Sequence, residues 1–292
     1  MVIRHYVPEK DLHSLSRLLT EIESIDRDGE DTSEEYLLAS LQWPNYRPDQ
    51  DVWVAEADGE LAGYAVTLEQ PSRHCTIYVV VHPSQRRNGL GSQLLDLTIA
   101  RARELGSKTI LIYANERNSS ANWFLKHHGF LAVGSSGTLR ARDELQPQPF
   151  ELPTGFMLRP YSDVHEPAVL LQALDDGYSA MWGHQHSDQR SEAELLSPNF
   201  LKYYKSEDIL LLFDPDQVVS GICSFKSEGK REENGSRSDL LDAPGVIKKY
   251  RQEGYQRQLV LAGIAQLRKH EIRPIILEFW EKVNRRLKFI VP

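Results

Sequence analysis

Ile77 to Gly91 reads IYVVVHPSQRRNGLG. A β-branched apolar run stops at His82-Pro83 and passes through Arg86-Arg87-Asn88-Gly89-Leu90-Gly91. It then enters an amphipathic stretch in which Leu95, Ile99 and Ala102 recur at helical spacing. A strand that turns through glycine into a helix is suited to holding phosphate. Glycine lets the backbone come close to a ligand, and the unpaired amides of a helix start point at an anion with the helix dipole behind them.

The same layout returns 165 residues on, counted from Arg86 to Arg251. There VIKKYRQEGYQ (246–256) sets Arg251 against Arg86 and Gly254 against Gly89. Val260, Ile264 and Leu267 repeat Leu95, Ile99 and Ala102 at that shift, and Ile275 to Leu277 matches Ile110 to Ile112. Period and register agree across loop, helix and strand, as an internal repeat requires.

At 292 residues the chain is long enough for two domains with separate cores. Lys plus Arg is 34 and Asp plus Glu is 42, so the net charge of -8 draws it to neither nucleic acid nor an anionic membrane, and any phosphate must be held locally. No apolar run approaches the roughly 20 residues of a membrane helix, and MVIRHYVPEK lacks the apolar core of a signal peptide. A cytoplasmic protein is expected. Cys75 and Cys223 lie in apolar strand-like runs and read as buried thiols, too few for a zinc site.

Residues 2 to 6 read as a strand, and Pro8 to about Ile25 as a helix with Leu12, Leu15, Leu18, Leu19 and Ile22 inward. Thr32, with Glu35 three residues on, predicts the N-cap of a second helix that stops before Pro44. An antiparallel meander follows: Val52 to Ala57, the turn Asp58-Gly59, Leu61 to Leu68, and His74 to Val81. After the loop and its helix come a buried strand from Thr109 to Ala114, a short helix from Asn118 to His128, and a last strand pair ending near Arg142.

ELQPQPFELPT (144–154) suits an extended linker, after which the order restarts. Met157 to Pro160 reads as a strand, Val164 to Leu174 as a helix, Ile209 to Phe213 and Val218 to Phe225 as strands, and Leu240 to Asp242 as the strand before the second loop. KSEGKREENGSRS (226–238) reads as an exposed, mobile hairpin tip. The expected fold class is α/β with mixed α+β sheets. Residues 1–142 form the first domain, 143–154 the linker and 155–292 the second domain.

The strand, the Arg86 to Gly91 loop, its helix, and Asn118-Ser119-Ser120-Ala121 leading to Gly129-Phe130 together resemble the GNAT superfamily of N-acetyltransferases. The likeness covers nearly all of residues 1–142. With the second copy the chain resembles a tandem GNAT protein of the mycothiol-synthase type, in which a Trp-Gly-His segment often follows the first helix, as Met181-Trp182-Gly183-His184 does here.

The resemblance implies acetyl-CoA as acyl donor, no metal, and a small-molecule amine as acceptor, with no nucleic-acid or membrane partner. Backbone groups of Val79, Val80 and Val81 would pair with the pantetheine arm. The stretch Arg86, Arg87, Asn88, Gly89, Leu90, Gly91 and Ser92 would hold the pyrophosphate, and Asn118 would touch the cofactor unless it is simply a helix cap. A splayed parallel strand pair has free edge groups, which agrees with this.

Acetyl transfer needs a neutral amine. For an alkylamine of pKa about 10.4, deprotonation at pH 7 costs roughly 4 to 5 kcal/mol, against about 2 kcal/mol for protonating a thiolate of pKa near 8.5. A base therefore matters more than an acid. The family's usual acid position reads Leu125 and its strand-four carboxylate position reads Cys75. Glu69 is the substitute base chosen from the sequence; His74, Tyr78 and Tyr113 are weaker candidates, and His127 and His128 suit a helix C-terminus. These departures keep a second reading open, a non-catalytic acyl-CoA-binding or scaffold protein.

The second copy departs further. Gln256 replaces the loop's final glycine, Lys248 stands where Pro83 did, and the chain ends soon after Asn284 without a second Gly-Phe. A degenerate, C-terminally truncated domain that helps shape the acceptor cleft is expected. Its strand edges could be covered in a homo-oligomer. His184 and His186 are spaced as ligands on a strand could be, but no third ligand is evident.

Overall fold

The structure, a computed structural model, describes residues 1–28, 30–41, 46–70, 74–141, 149–179, 204–231, 237–269 and 273–282. The Trp-Gly-His segment, His184, His186, Pro44, the first half of the expected linker and the residues around Asn284 lie outside these. The chain forms two compact units, Met1–Leu131 and Ala132–Ile290.

The first unit runs β1 (Val2–His5), α1 (Pro8–Asp26), α2 (Glu34–Leu41), α3 (Pro48–Asp51), β2 (Val52–Ala57), β3 (Glu60–Gln70), β4 (His74–Val81), α4 (Leu90–Glu104), β5 (Thr109–Ile112) and α5 (Ser119–His127). Its sheet has the order β1-β2-β3-β4-β5. Among the described residues only β4 and β5 pair in parallel here, because α4 carries the chain back across the sheet between them.

Pro8 opens α1, and Asp11 reaches back to accept from the Val7 amide at 2.8 Å while Arg4 forks its carboxylate at 2.6 and 2.8 Å. Leu15, Leu18, Leu19 and Ile22 then pack with Leu37, Val52, Val54, Tyr64 and Val66 on one sheet face. Leu90 and Leu94 of α4 pack with Trp53, Ala55, Ala62 and Ala65 on the other. The hydroxyl that caps α2 belongs to Ser33, which accepts from the Tyr36 amide at 3.2 Å. Thr32, expected in that role, instead pairs with the Thr20 hydroxyl. The expected buried strand at Thr109 is shorter and only half-buried, since β5 is the sheet's edge.

The second unit runs β6 (Gly134–Arg140), β7 (Met157–Pro160), α6 (Pro167–Gly177), β8 (Ile209–Phe213), β9 (Val219–Arg231), β10 (Arg237–Leu241), β11 (Gly245–Val246), α7 (Tyr255–Leu267) and β12 (Ile275–Lys282). Its sheet has the order β6-β12-β10-β9-β8-β7, with β11 on β9, and again one parallel pair, β10 with β12. α6 starts at Pro167 rather than Val164, because Tyr161–Asp163 first makes a 3-10 turn.

Residues 134–140, expected to close the first domain's sheet, pair antiparallel with β12 from Ile276↔Arg140 to Lys282↔Gly134. The sequence assigns the stretch up to Arg142 to the first domain, whereas the compact units divide after Leu131.

The duplication extends to packing contacts. A Cβ on Gly63 of β3 would stand 2.9 Å from Leu94 Cδ1 of α4, and one on Gly221 of β9 would stand 3.2 Å from Leu259 Cδ1 of α7. Leu259 is Leu94 shifted by the repeat. In both units glycine lets the helix after the loop settle directly on the sheet.

Candidate functional site

Pairing of β4 with β5 stops at Ile77↔Ile112, while pairing of β4 with β3 continues to Gly63↔Val81. Residues 78–81 therefore have a partner strand on one side only. Val79, Val80 and Val81, the residues expected to meet an extended ligand, form this free edge, and it points along the chain into the loop.

The loop is a 3-10 turn over Pro83–Gln85, then Arg86 in extended backbone, Arg87 at φ 68° and Gly89 at φ 80° as the N-cap of α4. The left-handed conformation at Gly89 costs a side-chain-bearing residue about 1–2 kcal/mol. No side chain caps α4, and its first internal bond is Gln93 N to Gly89 O. The amides of Leu90, Gly91 and Ser92 precede that bond, which makes them the donors of an anion nest.

Arg86 has partners that its sequence position does not suggest. Its Nε donates to the Val81 carbonyl at 2.9 Å, and its two terminal nitrogens donate to the Asp26 carboxylate at 3.0 and 2.5 Å. It braces the loop against the end of α1. Asn118 caps α5 by accepting from the Ala121 amide at 3.0 Å, the alternative its sequence position already allowed.

The second unit rebuilds the loop. A 3-10 turn spans Lys248–Tyr250, Gln252 has φ 73°, Gly254 has φ 87° as the N-cap of α7, and Arg251 Nε donates to the Val246 carbonyl at 2.8 Å. Around it, however, the strand is broken between β10 and β11, and Pro244 stands where the repeat places Val79. Proline has no N–H to offer along an edge. Tyr178 donates its hydroxyl to the Ala243 carbonyl at 2.9 Å, and the Gln256 amide reaches the Pro244 carbonyl at 3.4 Å.

The titratable groups of the first unit divide by sheet face. Tyr78 and Val80 pack on the α1 and α2 side with Val66. Thr67, which donates to the Thr98 carbonyl of α4, marks the other side. Glu69 shares the face of Thr67, is exposed, and pairs with Cys75 across β3 and β4. The free edge begins three residues beyond Cys75.

Cys75 is fully buried, which pushes its thiol up, and burial lowers the His74 imidazole. Carboxylates that sequence reading missed, Asp28 and Glu30 on the exposed segment after α1, act electrostatically on Tyr78. Desolvation raises the Glu30 carboxyl, with Glu23 and Asp28 repelling its charge. Desolvation also raises Asp28, opposed by a hydrogen bond from Asn115 in the segment after β5. The same carboxylates, after desolvation, raise the Tyr78 phenol. The sequence signal was the acidic run Glu23, Asp26, Asp28, Glu30 at the end of an amphipathic helix. Tyr113 ends half exposed, and Leu125 is half-buried on α5.

Among the described residues, no three His, Cys, Asp or Glu side chains gather as metal ligands would, and no helix is long and apolar enough to cross a membrane.

Comparison with known proteins agrees with this geometry. Residues 13–130 match the Acetyltransferase (GNAT) family. The chain is 26% identical to a mycothiol acetyltransferase of Renibacterium salmoninarum over 76% of its own length, a match that spans 65% of that relative. It is 29% identical to a mycothiol acetyltransferase of Salinispora arenicola over 83% of the chain and 76% of the relative. Among solved structures, a GCN5-related N-acetyltransferase from Sphaerobacter thermophilus superposes with a TM-score of 0.72 at 19% identity, covering 98% of this chain and 89% of that one. A tandem GNAT protein from the clavulanic acid biosynthesis pathway gives 0.60 at 16% identity, covering 95% and 89%. These likenesses speak for the fold of both units.

Proposed function

We propose that the chain is an acetyl-CoA-dependent N-acyltransferase whose first unit, in which residues 13–130 match the Acetyltransferase (GNAT) family, takes the acyl donor. The observation that carries this reading is the free edge of residues 78–81 running into an uncapped helix start at Gly89. A donor with an extended amide arm ending in pyrophosphate matches an edge strand followed by an anion nest. Val79, Val80 and Val81 pair with the arm, and the amides from Arg87 to Ser92 take the pyrophosphate. Arg86 keeps the loop in shape through Val81 and Asp26.

The acceptor is a small amine, and a mycothiol-related amine is the first to test because relatives carry that name. Glu23, Asp28 and Glu30 favour a cationic one. Its proton needs a base, and Glu30 and Asp28, though exposed, are suited to it because their carboxyls are raised and they act on Tyr78. Pro244 and Gln256 support a second unit that takes no donor of its own.

The rival reading, an acyl-CoA-binding protein without catalysis, is favoured by the buried Cys75 and by Leu125 at the usual acid and base positions. Calorimetry with acetyl-CoA, followed by free-thiol release over an amine panel, separates the two. Tight binding with no acceptor-dependent thiol release sinks the enzyme.

A further inference from the structure

The rim of the nest carries a group that neither the fold nor acyl transfer requires. Trp123 on α5 is 57% exposed, which forgoes much of the stabilisation an indole gains on burial. The Arg87 guanidinium lies 5.6 Å from its ring centroid, and the His127 imidazole is stacked on it at 5.0 Å and 8°.

The position of α5 is set by its neighbouring residues. A Cβ on Gly91 would stand 3.6 Å from the Phe124 ring, and Ser92 Oγ is 3.0 Å from His128 Nε2. Phe124 and His128 thus dock α5 on the first turn of α4, and the residues just before them, Trp123 and His127, turn toward Arg87. Arg87 itself belongs to the loop, holds φ at 68°, is exposed, and makes no hydrogen bond among the described residues. It is a cation with unspent donors, resting on an aromatic face beside an anion nest.

We propose that Trp123 is the platform for the purine at the nucleotide end of the donor, with Arg87 turning from the indole to a phosphate of that nucleotide. This rests on reading the nest as an acyl-CoA pyrophosphate site. Chemistry sets the distance: adenosine is esterified directly to the pyrophosphate, so its base must lie beside whatever holds that group. An exposed indole in contact with a residue of the same loop meets the requirement, and a purine stacks on it by its π-face. Arginine suits the phosphate because its fork matches two oxygens.

The test is calorimetry on the full chain with coenzyme A, 3'-dephospho-coenzyme A and 4'-phosphopantetheine, for the wild type, Trp123→Ala, Trp123→Phe and Arg87→Gln. Trp123→Ala is expected to weaken both adenosine-containing ligands roughly 5- to 100-fold while leaving 4'-phosphopantetheine within about twofold. Trp123→Phe restores most of the loss, and Arg87→Gln weakens the adenosine ligands selectively. Equal losses on all three ligands, or none, overturn the platform. A wild type that binds 4'-phosphopantetheine as tightly as coenzyme A overturns it too while leaving the nest in place; binding of none of the three defeats the donor reading itself. If thermal melts show Trp123→Ala unfolded, Trp123→Phe and Arg87→Gln decide by the same ligand comparison.

Discussion

Arg86 and Asp26 form a two-point ion pair at 3.0 and 2.5 Å across 60 residues of chain, and Arg86 holds the Val81 carbonyl at the same time. The second unit keeps the device with different partners, since Arg251 holds the Val246 carbonyl and donates to the Asp176 carbonyl at 3.1 Å and the Ser179 hydroxyl at 2.5 Å. In each unit one arginine ties the loop to the last strand residue and to the end of the first helix. Arg86→Lys keeps the charge but loses the fork. We expect it to weaken acetyl-CoA by about tenfold, with Asp26→Asn similar and the double variant no worse than either. The pair's side chains are 31% and 14% exposed, so a coupling of about 1 kcal/mol is expected in a double-mutant cycle read by calorimetry. Additive losses would mean that Arg86 touches the ligand itself.

Gly89 and Gly254 provide an internal control. Both have left-handed backbone, φ 80° and 87°, and a Cβ at either meets open space, its nearest neighbour at Gly89 being Gln93 Nε2 at 3.9 Å. The folding cost of alanine is therefore the same at both, about 1–2 kcal/mol of backbone strain. Gly89→Glu adds bulk and charge to the nest and should abolish acetyl-CoA binding, while Gly254→Glu should leave it nearly unchanged. Equal losses in the two titrations would show that both loops hold donor.

What sequence could reach was local. Positive φ at the loop glycines, the stripe of α1 and the 165-residue register from Arg86 to Arg251 each reside in a few neighbouring residues. What it missed depends on partners far along the chain. GSSGTLR (134–140) carries almost no alternation, and its place was decided by the edge of β12, more than a hundred residues on. Thr32 and Ser33 are equally able caps, and the choice follows from the Thr20 hydroxyl that engages Thr32. Arg86 beside a glycine loop reads as a phosphate ligand, and its pairing with Asp26, 60 residues away, is not legible locally. Glu69 is chosen by its position in the chain, and the pairing of β3 with β4 is what shows it on the face opposite Tyr78.

The face argument separates the candidate bases. Whichever of Glu30 and Asp28 is the base, Glu30→Gln or Asp28→Asn should lower kcat by roughly 100- to 10,000-fold, the usual worth of a general base, with little change in acetyl-CoA affinity. Glu69→Gln should stay within about twofold of the wild type, as surface substitutions usually do. Steady-state kinetics with the best amine of the panel decides. A large loss confined to Glu69→Gln would restore the reading first drawn from sequence.

Asp242 gives a stability test in the second unit that is independent of any ligand. Burial pushes its carboxyl from an ordinary 3.8 up to about 6, with Glu278 adding to the rise and Tyr204 and Lys226 opposing it. The folded chain therefore keeps this proton after the unfolded chain has lost it. Its stabilising effect is complete below pH 3.8 and is lost as pH climbs through about 6. A shift of that size, at 1.36 kcal/mol per unit, is worth about 3 kcal/mol. Asp242→Asn carries no such proton. Urea unfolding between pH 4 and 7 should then show the variant gaining on the wild type by up to about 3 kcal/mol over that window. Curves that stay parallel would place the Asp242 carboxyl in solvent with an ordinary pKa.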